Sequence, residues 1–238
     1  MTLPLVISDK ECRLKEKVQD SLPEGGNLDR CFTCGTCVSS CPAARLHGMD
    51  SRKLLRMVLM GLDDEVESSP WIWMCTMCAR CEVHCPMGIK ISDLVRQTRA
   101  ARNREDIPGG IQKGLEMALA TGNNLGLPRD DFVFILEDVG GELAQEPGFE
   151  DFTVPIDQEG ASILVTIHNK LVNTQNEDLK HLWKLFHAAG EKWTVSSDDW
   201  EGTSWGYFTG DDEAIKTMTG RLVAHMEGLK AGKLLCPE

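Results

Sequence analysis

Eight of the ten cysteines of this chain fall in two copies of one spacing. CFTCGTCVSSCP runs from Cys31 to Pro42, and CTMCARCEVHCP runs from Cys75 to Pro86. Each reads Cys-x2-Cys-x2-Cys-x3-Cys-Pro. Three thiolates at every third residue can wrap one face of an iron–sulfur cube and bind three of its irons. The fourth, held off by three more residues and followed by proline, points elsewhere. Structural zinc is the alternative, but it takes two Cys-x2-Cys pairs in a tetrahedron and has no use for a third cysteine at the same step. The spacing therefore predicts two [4Fe–4S] clusters.

Where two clusters share a chain, the fourth cysteine of this run ligates the other cluster. The expected sets are Cys31, Cys34, Cys37 and Cys85 around one cluster, and Cys75, Cys78, Cys81 and Cys41 around the other. Each motif then depends on its twin, which explains the duplication. All irons would carry cysteine, leaving no open position for substrate, so the expected work is one-electron transfer and no residue is assigned a catalytic role. Backbone amides around CGTC and CARC are expected to tune the potential through hydrogen bonds to sulfur.

Cys12 and Cys236 are left over. Cys12 reads as an inert thiol, and Cys236 alone cannot hold a cluster. His84, beside Cys85, is placed to tune a cluster or simply to face solvent; His181 and His187 read as surface positions. Arg96, Arg99, Arg102 and Arg104 read as a solvated basic stripe on a helix. No GxGxxG or GxxxxGK[ST] run is present, so nothing argues for a flavin, NAD or ATP site in this chain.

The chain has 238 residues and a net charge of -12, which argues against nucleic-acid binding as the main task. The N-terminal MTLPLVISDKECRLKEK lacks a leader pattern, and no apolar run reaches transmembrane length. These features predict a cytoplasmic protein, where clustered cysteines read as metal ligands before disulfides.

The elements that must position these residues fall in three regions. Residues 1–110 carry both cysteine motifs. MDSRKLLRMVLMGL joins them as a helix capped by Asp50 or Ser51, with Leu54, Leu55, Val58, Leu59 and Leu62 on one face. ISDLVRQTRAARNRE follows the second motif as a helix ended by Pro108-Gly109-Gly110. Residues 111–160 read as a helical and acidic connector; Asp130 to Glu159 holds ten acidic residues and no Lys or Arg. Residues 161–238 read as a small α/β unit, with strands in ASILVTI, KWTVSS and KLLC and helices in EDLKHLWKLFHAAG and DDEAIKTMTGRLVAHMEGLKAG, implying a parallel sheet. The predicted fold class is α plus α/β.

NLDRCFTCGTCVSSCPAARLHGMDSRKLLRMVLMGLDDEV, followed by WIWMCTMCARCEVHCPMGIKISDLVRQTR, closely resembles the HdrC subunit of heterodisulfide reductases and its relatives in sulfur-metabolising complexes. The resemblance implies an α-helical two-cluster ferredoxin domain that relays electrons between an HdrA-like flavoprotein, or a membrane cytochrome b, and an HdrB-like catalytic subunit. It implies the same eight cysteines as ligands, no catalysis by the chain alone, and membrane association only through a partner. The C-terminal unit resembles half of the catalytic module of HdrB- and HdrD-type proteins. That module carries cysteine-rich CCG sequences, whereas here the corresponding stretches, HNKLVNT and WEGTSWGYFTGD, hold no cysteine. The unit therefore reads as a vestigial or docking domain, or one that completes a site with a partner chain. The alternative to a relay is a truncated catalytic iron–sulfur chain.

Overall fold

A computed structural model describes residues 11–237. The expectation that the first ten residues form no leader lies outside the described residues. The chain divides into two compact units, 1–108 with 208–210, and 109–207 with 211–238.

The first unit is helical. Helix α1 (Arg13–Ser21) has no side-chain cap of its own, and the buried Asp63 carboxylate accepts from the Leu14 N–H at 3.1 Å instead. Anions suit this position because the first turn of a helix leaves its N–H groups unpaired. Short α2 (Thr36–Ser39) contains Cys37, the third cysteine of the first motif. Helix α3 (Ser51–Leu59) starts where the sequence suggests: the Asp50 side chain accepts from the Lys53 N–H at 2.9 Å. Leu54, Leu55 and Val58 are fully buried. The helix stops at Leu59, before Leu62, because Gly61 turns the chain through a φ of 67°. Then come α4 (Asp63–Glu67), α5 (Arg80–Val83) and α6 (Ile91–Ala100). Leu14, Val18, Leu28, Met49, Ile72 and Leu94 meet α3 in a single core, against which six of the motif cysteines pack.

Helix α6 ends at Ala100, five residues short of the 91–105 stretch read as helix. Gly109 and Gly110 do not stop a helix; they open α7 (Gly109–Thr121) in the second unit. Helix α8 (Arg129–Leu143) lies in the acidic stretch, yet Phe132, Leu136, Val139 and Leu143 form a buried face at helical spacing. β1 (Ile163–Val165), α9 (Asn169–Asn173), α10 (Asn176–Ala189), β2 (Trp193–Thr194), α11 (Ser204–Thr209), α12 (Asp212–Gly228) and β3 (Lys233–Leu235) follow. The strands pair in parallel in the order β2-β1-β3, with Leu164 opposite Thr194 and Leu234. Leu179, Trp183 and Phe186 of α10 are buried beside Trp193, and Phe132 stacks on Trp200 at 4.4 Å. Gly190 ends α10 in the left-handed region at φ 64°, where a side chain would be strained. No helix among the described residues is long and apolar enough to cross a membrane.

Candidate functional site

The eight motif cysteines line two hollows in the first unit. Cys31, Cys34, Cys37 and Cys85 line the first; Cys41, Cys75, Cys78 and Cys81 line the second. Each hollow thus takes three cysteines from one motif and the last from its twin. No histidine or carboxylate lines either. Among the described residues, no three Cys, His, Asp or Glu side chains converge as the ligands of one metal ion would. An all-thiol set spread around a hollow suits the soft, polynuclear [4Fe–4S] group.

Helices α3 and α6 build the walls. Ser51 faces the second hollow while Arg52 and Leu55 face the first. Ile91, at the start of α6, lines both and is 2 % exposed, so a single side chain contributes to both chambers. The N-terminal ends of helices carry partial positive charge, which favours an anionic cluster. The first turn of α6 is itself held by Glu82, which accepts from the Ser92 N–H at 2.7 Å and from its hydroxyl.

The loops between the first three cysteines repeat one backbone pattern. Thr33 and Met77 have φ of 65° and 56°; Gly35 and Ala79 have φ of 85° and 56°. Left-handed residues at alternate positions help turn N–H groups inward, a concavity that suits anions and iron–sulfur groups. Accordingly the Thr33 N–H donates to Cys31 Sγ and the Met77 N–H to Cys75 Sγ, each at 3.4 Å. The Thr36 hydroxyl lies 3.3 Å from Cys34 Sγ and holds that thiol below its usual range. Burial does the reverse elsewhere in the cluster-free chain: it raises Cys37 and Cys75 and pushes Cys81 up to about 12. Cys34 and Cys78 are exposed, one in each hollow, while the other six are half-buried.

Three of the four arginines read as a solvated stripe depart from that expectation, and of these Arg96 is half-buried. Arg99 does not belong to a solvated stripe: it is 1 % exposed, and its guanidinium donates to the carbonyls of Ile72 and Cys75 at 2.9 and 2.6 Å. Arg102 is half-buried and donates to the Ser69 carbonyl at 3.1 Å. The helical phase of α6 places Arg99 on the face of Val95, which is the one signal that marked it. Arg104 is exposed, as are His84, His181 and His187. His84 lies 2.9 Å from the Arg80 carbonyl rather than in a hollow. Cys12 and Cys236 line neither hollow.

A family model described as a 4Fe-4S dicluster domain matches residues 27–89. The C subunit of the H(2):CoB-CoM heterodisulfide,ferredoxin reductase of Methanothermobacter marburgensis is 31 % identical over 165 residues, 69 % of this chain and 86 % of that relative. The second iron–sulfur C subunit of the CoB–CoM heterodisulfide reductase of Methanocaldococcus jannaschii is 42 % identical over 73 residues, 31 % of this chain and 39 % of the relative. The C subunit of the ferredoxin:CoB-CoM heterodisulfide reductase of Methanosarcina acetivorans is 36 % identical over 119 residues, 49 % of this chain and 47 % of the relative. On this similarity, and on two thiol-lined hollows that fit the group, the chain belongs to the HdrC family of heterodisulfide reductases, iron–sulfur electron-transfer proteins, and carries two [4Fe–4S] clusters.

Proposed function

We propose that Cys31, Cys34, Cys37 and Cys85 hold one cluster, that Cys75, Cys78, Cys81 and Cys41 hold the other, and that the chain relays electrons between an HdrA-like flavoprotein and an HdrB-like subunit. The observation that carries the reading is the crossed lining of the hollows, in which each motif lends its last cysteine to its twin. The clusters, when bound, supply one-electron redox steps with every iron ligated by cysteine. The chain does the rest. Cys34 and Cys78 reach the surface, so each hollow has one corner open to a docked partner. Leu55, Ile89 and Ile91 line the first hollow with apolar surface that excludes water and lowers the local dielectric. Disulfide chemistry falls to a partner, because no ligand position is left for a substrate. The second unit holds one cysteine, Cys236, and acts in docking.

The partners are reached by analogy with the relatives, whose names describe parts of larger reductases. Any membrane link runs through a partner such as a cytochrome b. The test is an anaerobic affinity purification of the tagged chain from its own cells, with partners identified by mass spectrometry. HdrA-like and HdrB-like chains at fixed ratio support the relay. Recovery of the chain alone, with thiol–disulfide turnover of its own, overturns it and favours a truncated catalytic chain.

A further inference from the structure

Arg99 is a permanent charge placed where water cannot reach it. It is 1 % exposed. Nη2 donates to the carbonyls of Ile72 and Cys75, at 2.9 and 2.6 Å; Nη1 donates to the Phe208 carbonyl at 2.8 Å and lies 3.2 Å from Met77 Sδ. Phe208 belongs to the same unit. The guanidinium carbon sits 4.0 Å from the Phe208 ring centre and 4.9 Å from that of Trp73. Nε has no hydrogen-bond partner. Carbonyls and aromatic faces solvate a cation but do not neutralise it, and a buried charge ordinarily persists only when paired. The ionisable group that bears on it electrostatically is Cys75.

We infer that Arg99 is the fixed counter-charge of the cluster in the second hollow, and that it raises that cluster's reduction potential above the value the thiolates alone would set. One-electron reduction adds one negative charge to a cluster. A guanidinium anchored on the Cys75 carbonyl and on the flanking Met77 stabilises the reduced form more than the oxidised form. Among the described residues Arg99 is the one buried arginine; the arginines that line the hollows, Arg52 at the first and Arg80 at the second, are exposed, and solvent screens their charge. The asymmetry biases an electron toward the Cys75 side of the pair. The inference rests on the proposed assignment of Cys75, Cys78, Cys81 and Cys41 to one cluster.

The experiment is an anaerobic redox titration of the purified holoprotein, followed by electron paramagnetic resonance, for wild type, R99Q and R99K, with C78A identifying the signal of the second hollow. Expected in R99Q is a downward shift of that signal by about tenfold in the equilibrium constant, about 59 mV for a one-electron couple, with the other signal unmoved. R99K, which keeps the charge but not the forked contacts, stays within about threefold of wild type. A structural role alone would lower cluster content in both variants without separating their potentials. If R99Q retains no cluster, R99M, which is also neutral, takes its place: a fall of about tenfold beside a near-wild-type R99K supports the charge account, and a potential equal to that of R99K overturns it. Unmoved signals in R99Q, or equal shifts of both signals, also overturn it. If C78A removes neither signal, the ligand assignment fails instead, independently of Arg99.

Discussion

The crossing of the two motifs is open to a pairwise test. Each hollow has four cysteines, and Cys41 lines the hollow of Cys75, Cys78 and Cys81 rather than that of its own motif. Two [4Fe–4S] clusters give about eight irons per chain. Removing Cys41 strikes the second hollow alone, so C41A keeps about four irons if one lost ligand empties the site. The double variants amplify the contrast. C41A/C78A takes two ligands from one hollow, so the second substitution costs nothing further and about four irons remain. C34A/C41A takes one ligand from each hollow and leaves close to none. Two changes at one site are non-additive, whereas two at separate sites add. Iron and acid-labile sulfide per chain, measured after anaerobic purification, read this directly. If C34A/C41A kept half the iron while C41A/C78A lost nearly all, each motif would hold its own fourth ligand and the crossed reading would be wrong.

Ala79 sits at φ 56° in the loop whose twin position is Gly35. Left-handed backbone costs an L-residue about 1–2 kcal/mol, and glycine gives back about 0.5–1 kcal/mol in entropy; A79G is expected to stabilise the holoprotein by roughly 0.5–1 kcal/mol, seen as a higher denaturation midpoint, and an unchanged or lower midpoint refutes the strain. Trp183 is 1 % exposed in the core of the second unit. W183A is expected to cost about 3–5 kcal/mol in urea unfolding followed by circular dichroism, and a loss under about 1 kcal/mol would contradict its place in that core. Lys180 Nζ lies 2.6 Å from Glu177 and 3.1 Å from Glu142, and its hydrogen bond holds the Glu177 carboxyl below the usual range. A depressed carboxylate contributes stability that is full at neutral pH and lost as pH falls through the lowered value; the gap between wild type and K180M should close on acidification, and a gap that persists in acid would point to packing instead. In the cluster-free chain, burial raises Cys37, Cys75 and Cys81. These thiols must lose protons to bind iron, so reconstitution with iron and sulfide should improve as pH rises from roughly 7 to about 9 and should release protons; pH-independent uptake would refute this.

The chemistry was written in the chain itself. Two copies of a cysteine spacing announce two clusters because ligand number and step are local properties of a polypeptide. The helix from Ser51 was legible from Asp50 and from the placing of Leu54, Leu55 and Val58, as was the parallel sheet from alternating apolar runs and helices. Tertiary structure decided what depends on neighbours far along the chain. Residues 111–160 read as helical and acidic, but the buried face of helix α8 was not legible, because its carboxylates outnumber the four apolar residues that pack inward. Asp63 serves α1 across a separation of 49 residues, which no local pattern can show. Arg99 looked like one of four surface arginines. Its burial comes from carbonyls at Ile72, Cys75 and Phe208, brought together only when the unit closes around them. Local spacing determines which atoms can bind a metal; where a charge ends up relative to that metal is settled by packing.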